Sequence, residues 1–150
     1  MRRVFLFAVT VVFLSSCGIT NGLYYWGGVQ NGTTAYENLA YKSYDKQTPK
    51  SICDLVVVYE NMVTKSDTKI GGSRQVPPPG ICAEYGYLLL QPETAETFLN
   101  NATDVQKRVF SSDDYGTLFQ ERGKEMLQKE IEFYPESATF IEPLIKKLAR

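Results

Sequence analysis

Val76-Pro-Pro-Pro-Gly-Ile-Cys-Ala-Glu-Tyr-Gly-Tyr-Leu-Leu-Leu90 is the stretch from which the rest of the chain can be read. Three prolines hold its start extended, because each locks φ and restricts the residue before it. Pro79 suits a first helical position, where a missing N–H costs nothing. Ile81, Tyr85, Leu88 and Leu89 then recur at helical spacing, while Cys82 and Gly86 leave a flat strip for another backbone to approach. A short helix with one bulky and one small face packs on two neighbours at once. The stretch therefore reads as the central helix of an all-α domain.

The helical pattern continues on both sides. Thr34-Ala35-Tyr36-Glu37 matches a capping box, and Tyr36, Leu39, Ala40 and Tyr44 keep helical spacing to about Asp45. Thr48-Pro49 opens a second helix with Ile52, Leu55, Val56, Tyr59, Met62 and Val63 as its buried stripe. Ser66 to Gln75 is polar, carries Gly71-Gly72 and reads as a mobile loop. Beyond the central helix, Gln91-Pro92 starts a helix with Ala95, Phe98, Leu99 and Ala102 on one side. A longer one runs from about Asp113 to Tyr134, with Phe119, Leu127, Ile131 and Tyr134 in line. A last helix, Ser137 to about Ala149, is interrupted by Pro143, which removes a hydrogen bond and predicts a kink.

The first seventeen residues are of another kind. Met-Arg-Arg precedes an apolar run from Val4 to Leu14 broken only by Thr10, and then Ser15-Ser16-Cys17. This reads as a secretory signal, too short to span a membrane, and its end resembles the bacterial lipobox. The lipobox places the cut before Cys17 and the acyl chains on it; the plainer reading is an ordinary signal cut elsewhere. Residues 1–16 are then signal peptide, 17–33 a lipidated tether and aromatic arm, and 34–150 one helical domain. Cleavage removes Arg2 and Arg3 and leaves 14 basic against 17 acidic side chains, a net charge of −3. Gly18 after the cysteine fits retention at the outer membrane, facing the periplasm. Tyr24, Tyr25 and Trp26 form the arm's ring cluster, read either as rings packed on the helices or as a lipid- or sugar-facing surface.

Composition narrows the chemistry. A net charge of −1 offers no footprint for nucleic acid. The chain has no histidine, which removes the commonest general base and the commonest metal ligand. Cys53 and Cys82 remain after Cys17. Each lies near the start of its helix, and antiparallel pairing separates those starts by roughly 15 Å at about 1.5 Å per residue, beyond disulfide reach. Buried thiols are expected, with no zinc site. The acidic pairs Glu93/Glu96, Asp113/Asp114 and Glu130/Glu132 read as charge at helix starts or on solvated faces. Glu84 differs, because it lies inside the central helix and calls for a tyrosine or lysine partner.

Two resemblances follow. Gly86, Tyr85 and Leu89, with Gly123, Leu127 and Pro135, resemble the two helices of a degenerate tetratricopeptide repeat within stacked helix hairpins. The Gly86–Pro135 separation of 49 exceeds one repeat of about 34 residues, so 92–112 reads as inserted. Leu23-Tyr-Tyr-Trp-Gly-Gly28, Val76-Pro-Pro, Ala83-Glu-Tyr-Gly-Tyr-Leu-Leu89, Tyr134-Pro-Glu-Ser137 and Leu144-Ile-Lys-Lys-Leu148 together resemble a family of small bacterial lipoproteins, domain of unknown function 4810. That resemblance implies a Gram-negative outer-membrane lipoprotein of helical-repeat character with no assigned reaction. This chain differs from the family pattern by its third proline, the 92–112 segment and Pro143.

The expectation is thus a non-enzymatic lipoprotein without cofactor, held to the membrane by lipid, with a protein partner at the cell envelope. Tyr24, Tyr25, Trp26, Glu84, Tyr85 and Tyr87 are the candidate binding residues. The alternative is a glycan or peptidoglycan binder using Tyr24, Tyr25 and Trp26. The anchor is directly testable: Cys17→Ser should take up no labelled palmitate, and continued incorporation would refute Cys17 as the acylated residue.

Overall fold

The computed structural model describes residues 29–30, 33–46, 48–64 and 76–148. The signal, Cys17, the tether, the Tyr24-Tyr25-Trp26 cluster and the 66–75 loop lie outside the described residues. The described fold is all-α apart from one small ladder. Its elements are β1 (Val29–Gln30), β2 (Thr33–Thr34), α1 (Ala35–Lys46), α2 (Pro49–Thr64), α3 (Ile81–Leu89), α4 (Pro92–Asn101), α5 (Asp104–Lys107), α6 (Tyr115–Phe133), a 3₁₀ turn (Pro135–Ser137) and α7 (Ala138–Leu148). β1 and β2 pair antiparallel, Val29 against Thr34 and Gln30 against Thr33, so the chain folds back on itself just before α1.

The starts of the helices follow local chemistry. The Thr34 N–H donates to Glu37 Oε2 at 2.7 Å and the Glu37 N–H to Thr34 Oγ1 at 3.1 Å, a complete capping box at α1. Thr48 Oγ1 accepts from the Ser51 N–H at α2, and Asp114 accepts from the Thr117 N–H at α6. At α3 the expectation needs correcting. Pro79 is not the first helical residue, because the Ile81 N–H bonds Pro78 O and Gly80 sits at φ 88°, ψ −22°. That is a type II turn with Pro79 at its second and Gly80 at its third position, where positive φ favours glycine. The prolines shape the turn that leads into the helix.

α3 packs most extensively on α6, and the reason is a pair of glycines. A Cβ on Gly86 would lie 2.7 Å from Gly123 O, and one on Gly123 would lie 2.6 Å from Leu90 Cγ. Neither position has room for a methyl group, so the two backbones run in direct contact. On one side of this pair lies the main core of Leu55, Val56, Tyr59, Ile81, Tyr85, Leu89, Phe98 and Phe119. On the other, Leu90 and Leu127 meet Ile141 of α7, with Leu144, Ile145 and Leu148 beside it. α7 presents this stripe at i, i+3, i+4 and i+7, and it runs through Pro143 as one helix rather than breaking there.

Other expectations shift in register. On α2, Leu55, Val56, Tyr59 and Met62 are buried as read, but Cys53 and Glu60 join them while Ile52 and Val63 are only half-buried. Tyr44 of α1 and Leu99 of α4 lie on the exposed side. The 92–112 segment is a wall of the core: Phe98 packs edge-on against Phe110, Tyr115 and Phe119 at 5.1–5.4 Å between ring centres. It also forms α5, which periodicity misses because four residues are too few to show one, and which starts at a Thr103/Gln106 capping box. Cys53 and Cys82 are buried and unbonded. Cys53 Sγ approaches Thr97 O of α4 at 3.8 Å, whereas burial and the Glu130 charge of α6 push the pKa of the Cys82 thiol up to about 12, so the two face different helices.

Gly86→Ala forces a methyl group onto the Gly123 carbonyl and should cost about 1–3 kcal/mol. Gly116→Ala is the control, because its Cβ meets nothing closer than 3.4 Å and the exchange favours helix. Thermal melting of both variants checks this: Gly86→Ala melts several degrees lower, Gly116→Ala no lower than the parent.

Candidate functional site

α3 carries polar chemistry into the interior as well as apolar bulk. Three glutamates meet it, and each is satisfied by a different partner. Glu130, 2% exposed on α6, accepts from the backbone N–H of Gly80 at 2.7 Å and of Ala83 at 3.3 Å. It caps α3 from a neighbouring helix, with its charge at the favourable end of the helix dipole. This corrects the reading of Glu130 as a solvated charge: it recurs in the Gly123, Leu127, Glu130 register, which faces α3. Tyr134, in the next turn, donates to Pro77 O at 2.6 Å and holds the proline segment down.

Glu60 is buried on α2. It accepts from the Tyr85 hydroxyl at 2.7 Å and from Arg122 at 2.8 and 3.2 Å, and Arg122 reaches on to Glu125 at 2.7 Å. Tyr85, one of the candidate binding residues, needs correcting. The structure buries it completely, stacked on Tyr59 at 5.6 Å between ring centres, so it supports the core and touches no solvent. The Glu60–Arg122 pair escapes sequence reading because its partners lie 62 residues apart. Its one local signal is that Glu60 follows Cys53 and Val56 at i+7 and i+4, inside the apolar stripe. An open recess of about 530 Å³ beside this pair is lined by Phe110, Leu118, Glu121 and Arg122. Arg122 is already neutralised there, so it offers no free charge to an anion.

Glu84 is the third, and it opens outward. The hydroxyls of Tyr36 and Tyr59 both donate to Glu84 Oε2 at 2.6 Å. Tyr36 comes from α1 and Tyr59 from α2, and their rings meet edge-on at 5.7 Å, so three helices converge on one oxygen. Tyr44 of α1 is 54% exposed, while burial of its hydroxyl and the nearby Glu84 charge raise its pKa. Tyr87, one turn beyond Glu84 on α3, is 45% exposed, and Tyr41, one turn before Tyr44, is 66% exposed. Of the candidate residues, Glu84 and Tyr87 thus lie together, and Tyr36, Tyr44 and Tyr59 join them as residues that sequence reasoning does not assign. Tyr24, Tyr25 and Trp26 lie outside the described residues.

The tyrosines at this site are donors. Burial and the adjacent carboxylate raise the pKa of Tyr36 and Tyr59 above the ordinary 10, and burial beside Glu60 does so for Tyr85. At neutral pH all three keep their protons and serve as hydrogen-bond donors. Among the described residues no group of three His, Cys, Asp or Glu could hold a metal ion, and no helix is long and apolar enough to cross a membrane. No protein-family model, curated protein or solved structure matches the chain.

The raised tyrosine pKa values set a direction for alkaline stability. The folded state holds these protons more tightly than the unfolded chain, so the contribution is complete below pH 10 and is lost as pH rises beyond it. Denaturant unfolding should show stability falling above that pH, more shallowly in Glu84→Gln, where part of the shift is gone. A flat profile would contradict this placement of the hydroxyls.

Proposed function

We propose that this chain is an outer-membrane lipoprotein, anchored through lipid on Cys17, whose helical domain faces the periplasm and binds a partner protein of the cell envelope. The observation that carries the reading is that Tyr41 and Tyr44 of α1 and Tyr87 of α3 are exposed, on two helices joined through Glu84. Tyrosine is enriched at protein interfaces, since its ring buries apolar area with few rotatable bonds and its hydroxyl stays satisfied when half wet. Here the rings stand on helices tied together through Glu84, so the surface is ordered before a partner arrives and loses little entropy on binding.

The proposal includes a tetratricopeptide-like pairing of α3 with α6 around Gly86 and Gly123, with 92–112 inserted between them, and membership of the domain of unknown function 4810 family. It assigns no reaction. The glycan-binding alternative draws on Tyr24, Tyr25 and Trp26, and no observation among the described residues favours it.

A photoreactive amino acid placed at Tyr41 or Tyr87 in the full-length lipoprotein tests the surface in intact cells. Both sites should yield the same discrete adduct with one envelope protein, identified by mass spectrometry, and Glu132, exposed on α6, should not. No adduct at either tyrosine would refute the surface, and isolated glycan would favour the alternative.

A further inference from the structure

Beside the Glu60–Arg122 pair lies the open recess of about 530 Å³, with walls from three parts of the chain. α6 lines it with Leu118, Glu121, Arg122 and Glu125, which recur at i, i+3, i+4 and i+7 and so share one face of that helix. Val109, Phe110 and Ser111, in the link between α5 and α6, form the second wall, and Glu60 of α2 the third. The volume falls in the range of ligand pockets, on the order of 300–1,000 Å³. Glu121 and Glu125 are exposed and Val109 is 38% exposed, so the recess can be reached from outside.

The walls are already held in place. Phe110 packs edge-on against Phe98 and Phe119 at 5.4 Å between ring centres, and its N–H donates to Lys107 O at 3.1 Å. Arg122 is fixed by its two bonds to Glu60, which Tyr85 fixes in turn. Charge is uneven: the lining has three carboxylates and one guanidinium, a surplus of two negative charges. Lys129, from outside the lining, reaches Glu125 at 2.9 Å and offsets one of them. Glu121 and Glu125 stand four residues apart on α6, where like charges repel and a cation between them is stabilised.

We propose that this recess docks a short basic segment of the partner protein, with an aliphatic side chain over Val109, Phe110 and Leu118 and a lysine or arginine against Glu121 and Glu125. The chemistry selects this occupant. Apolar and acidic side chains line the same recess, and a lysine or arginine covers the first with its methylene stem while its head meets the second. An acidic segment or a phosphate would meet the surplus negative charge, since Arg122 is already paired with Glu60 and Glu125. Because the walls are ordered beforehand, little entropy is lost on docking. The protein partner rests on the binding reading above; the recess uses none of Tyr41, Tyr44 and Tyr87.

Fluorescence polarisation with the intact protein in nonionic detergent tests this, using the dye-labelled peptide acetyl-Lys-Leu-Arg-Leu-Lys-amide. Saturable binding is expected, weakened about tenfold in Glu121→Lys and severalfold in Val109→Ser, both at exposed positions. Glu132→Lys makes the same charge change at another exposed position of α6 and should leave affinity unchanged. Equal weakening in Glu121→Lys and Glu132→Lys would overturn the recess as the site, as would the absence of saturable binding. Equal binding of the peptide with serine in place of leucine would overturn the apolar contact. Residues 65–75 of this chain carry Lys65, Lys69 and Arg74 and lie outside the described residues. Binding seen only after all three are changed to glutamine would make that segment the occupant and overturn the partner. If the peptide binds as expected while no adduct forms at Tyr41 or Tyr87, the tyrosine surface fails and the recess stands. If an adduct forms and the peptide does not bind, the tyrosine surface stands and the recess fails.

Discussion

The contact between Gly86 and Gly123 sets the spacing on which the rest of this fold depends. With a Cβ at 2.7 Å from a backbone oxygen, no side chain fits, so the α3 and α6 backbones lie in direct contact. That closeness seats Leu127 beside Gly86 and Leu90 beside Gly123, filling the groove from both sides. It also brings Glu130, two turns along α6, within reach of the Gly80 and Ala83 amides. A helix pair held further apart would leave that carboxylate buried without donors, at a cost of several kcal/mol. The small residues and the capping charge are therefore one device.

α3 is short, with nine residues, and would not be helical alone. Its stability comes from outside. Glu130 satisfies its first amides, and the Tyr134 hydroxyl pins the proline segment before it. Packing on α2, α4 and α6 does the rest. In return it organises the three interior glutamates, each with a distinct consequence. Glu60, neutralised by Arg122, belongs to the scaffold, as does Glu130. Glu84 gathers Tyr36 and Tyr59 from two helices, one turn before the exposed Tyr87. The proposed binding surface is thus built on the best-supported element of the domain.

The 92–112 segment shows how an apparent insertion becomes structural. Phe98 and Phe110 close the end of the core against Tyr115 and Phe119, and Thr94 Oγ1 donates to Leu88 O, fastening α4 to the end of α3. Gln106 reaches Asp54 of α2, so the short α5 braces the far side. Removing the segment would open the aromatic rings at this end to water, a loss of roughly 1.5–3 kcal/mol for each ring exposed.

Local features are legible along the chain: the helical class, the Thr34–Glu37 capping box and the prolines near the helix starts, and the small face of α3 at Gly86. These are properties of one turn or one stripe, and spacing reports them. The position of Glu84 inside α3 also raises the question of its partner, which two tyrosines answer. Other features depend on backbone geometry or on packing. Pro79 reads as a helix start, but Gly80 at positive φ turns it into a corner. Tyr85 and Tyr87 are both candidate binding residues in the sequence, yet Tyr85, on the apolar stripe, is sealed against Glu60 and Tyr87 stands exposed. Glu130 reads as surface charge and is buried. For Tyr85 and Glu130 the outcome depends on which neighbour the helix turns towards, and that is fixed by contacts across 25 to 50 residues of chain, where no periodicity carries the information.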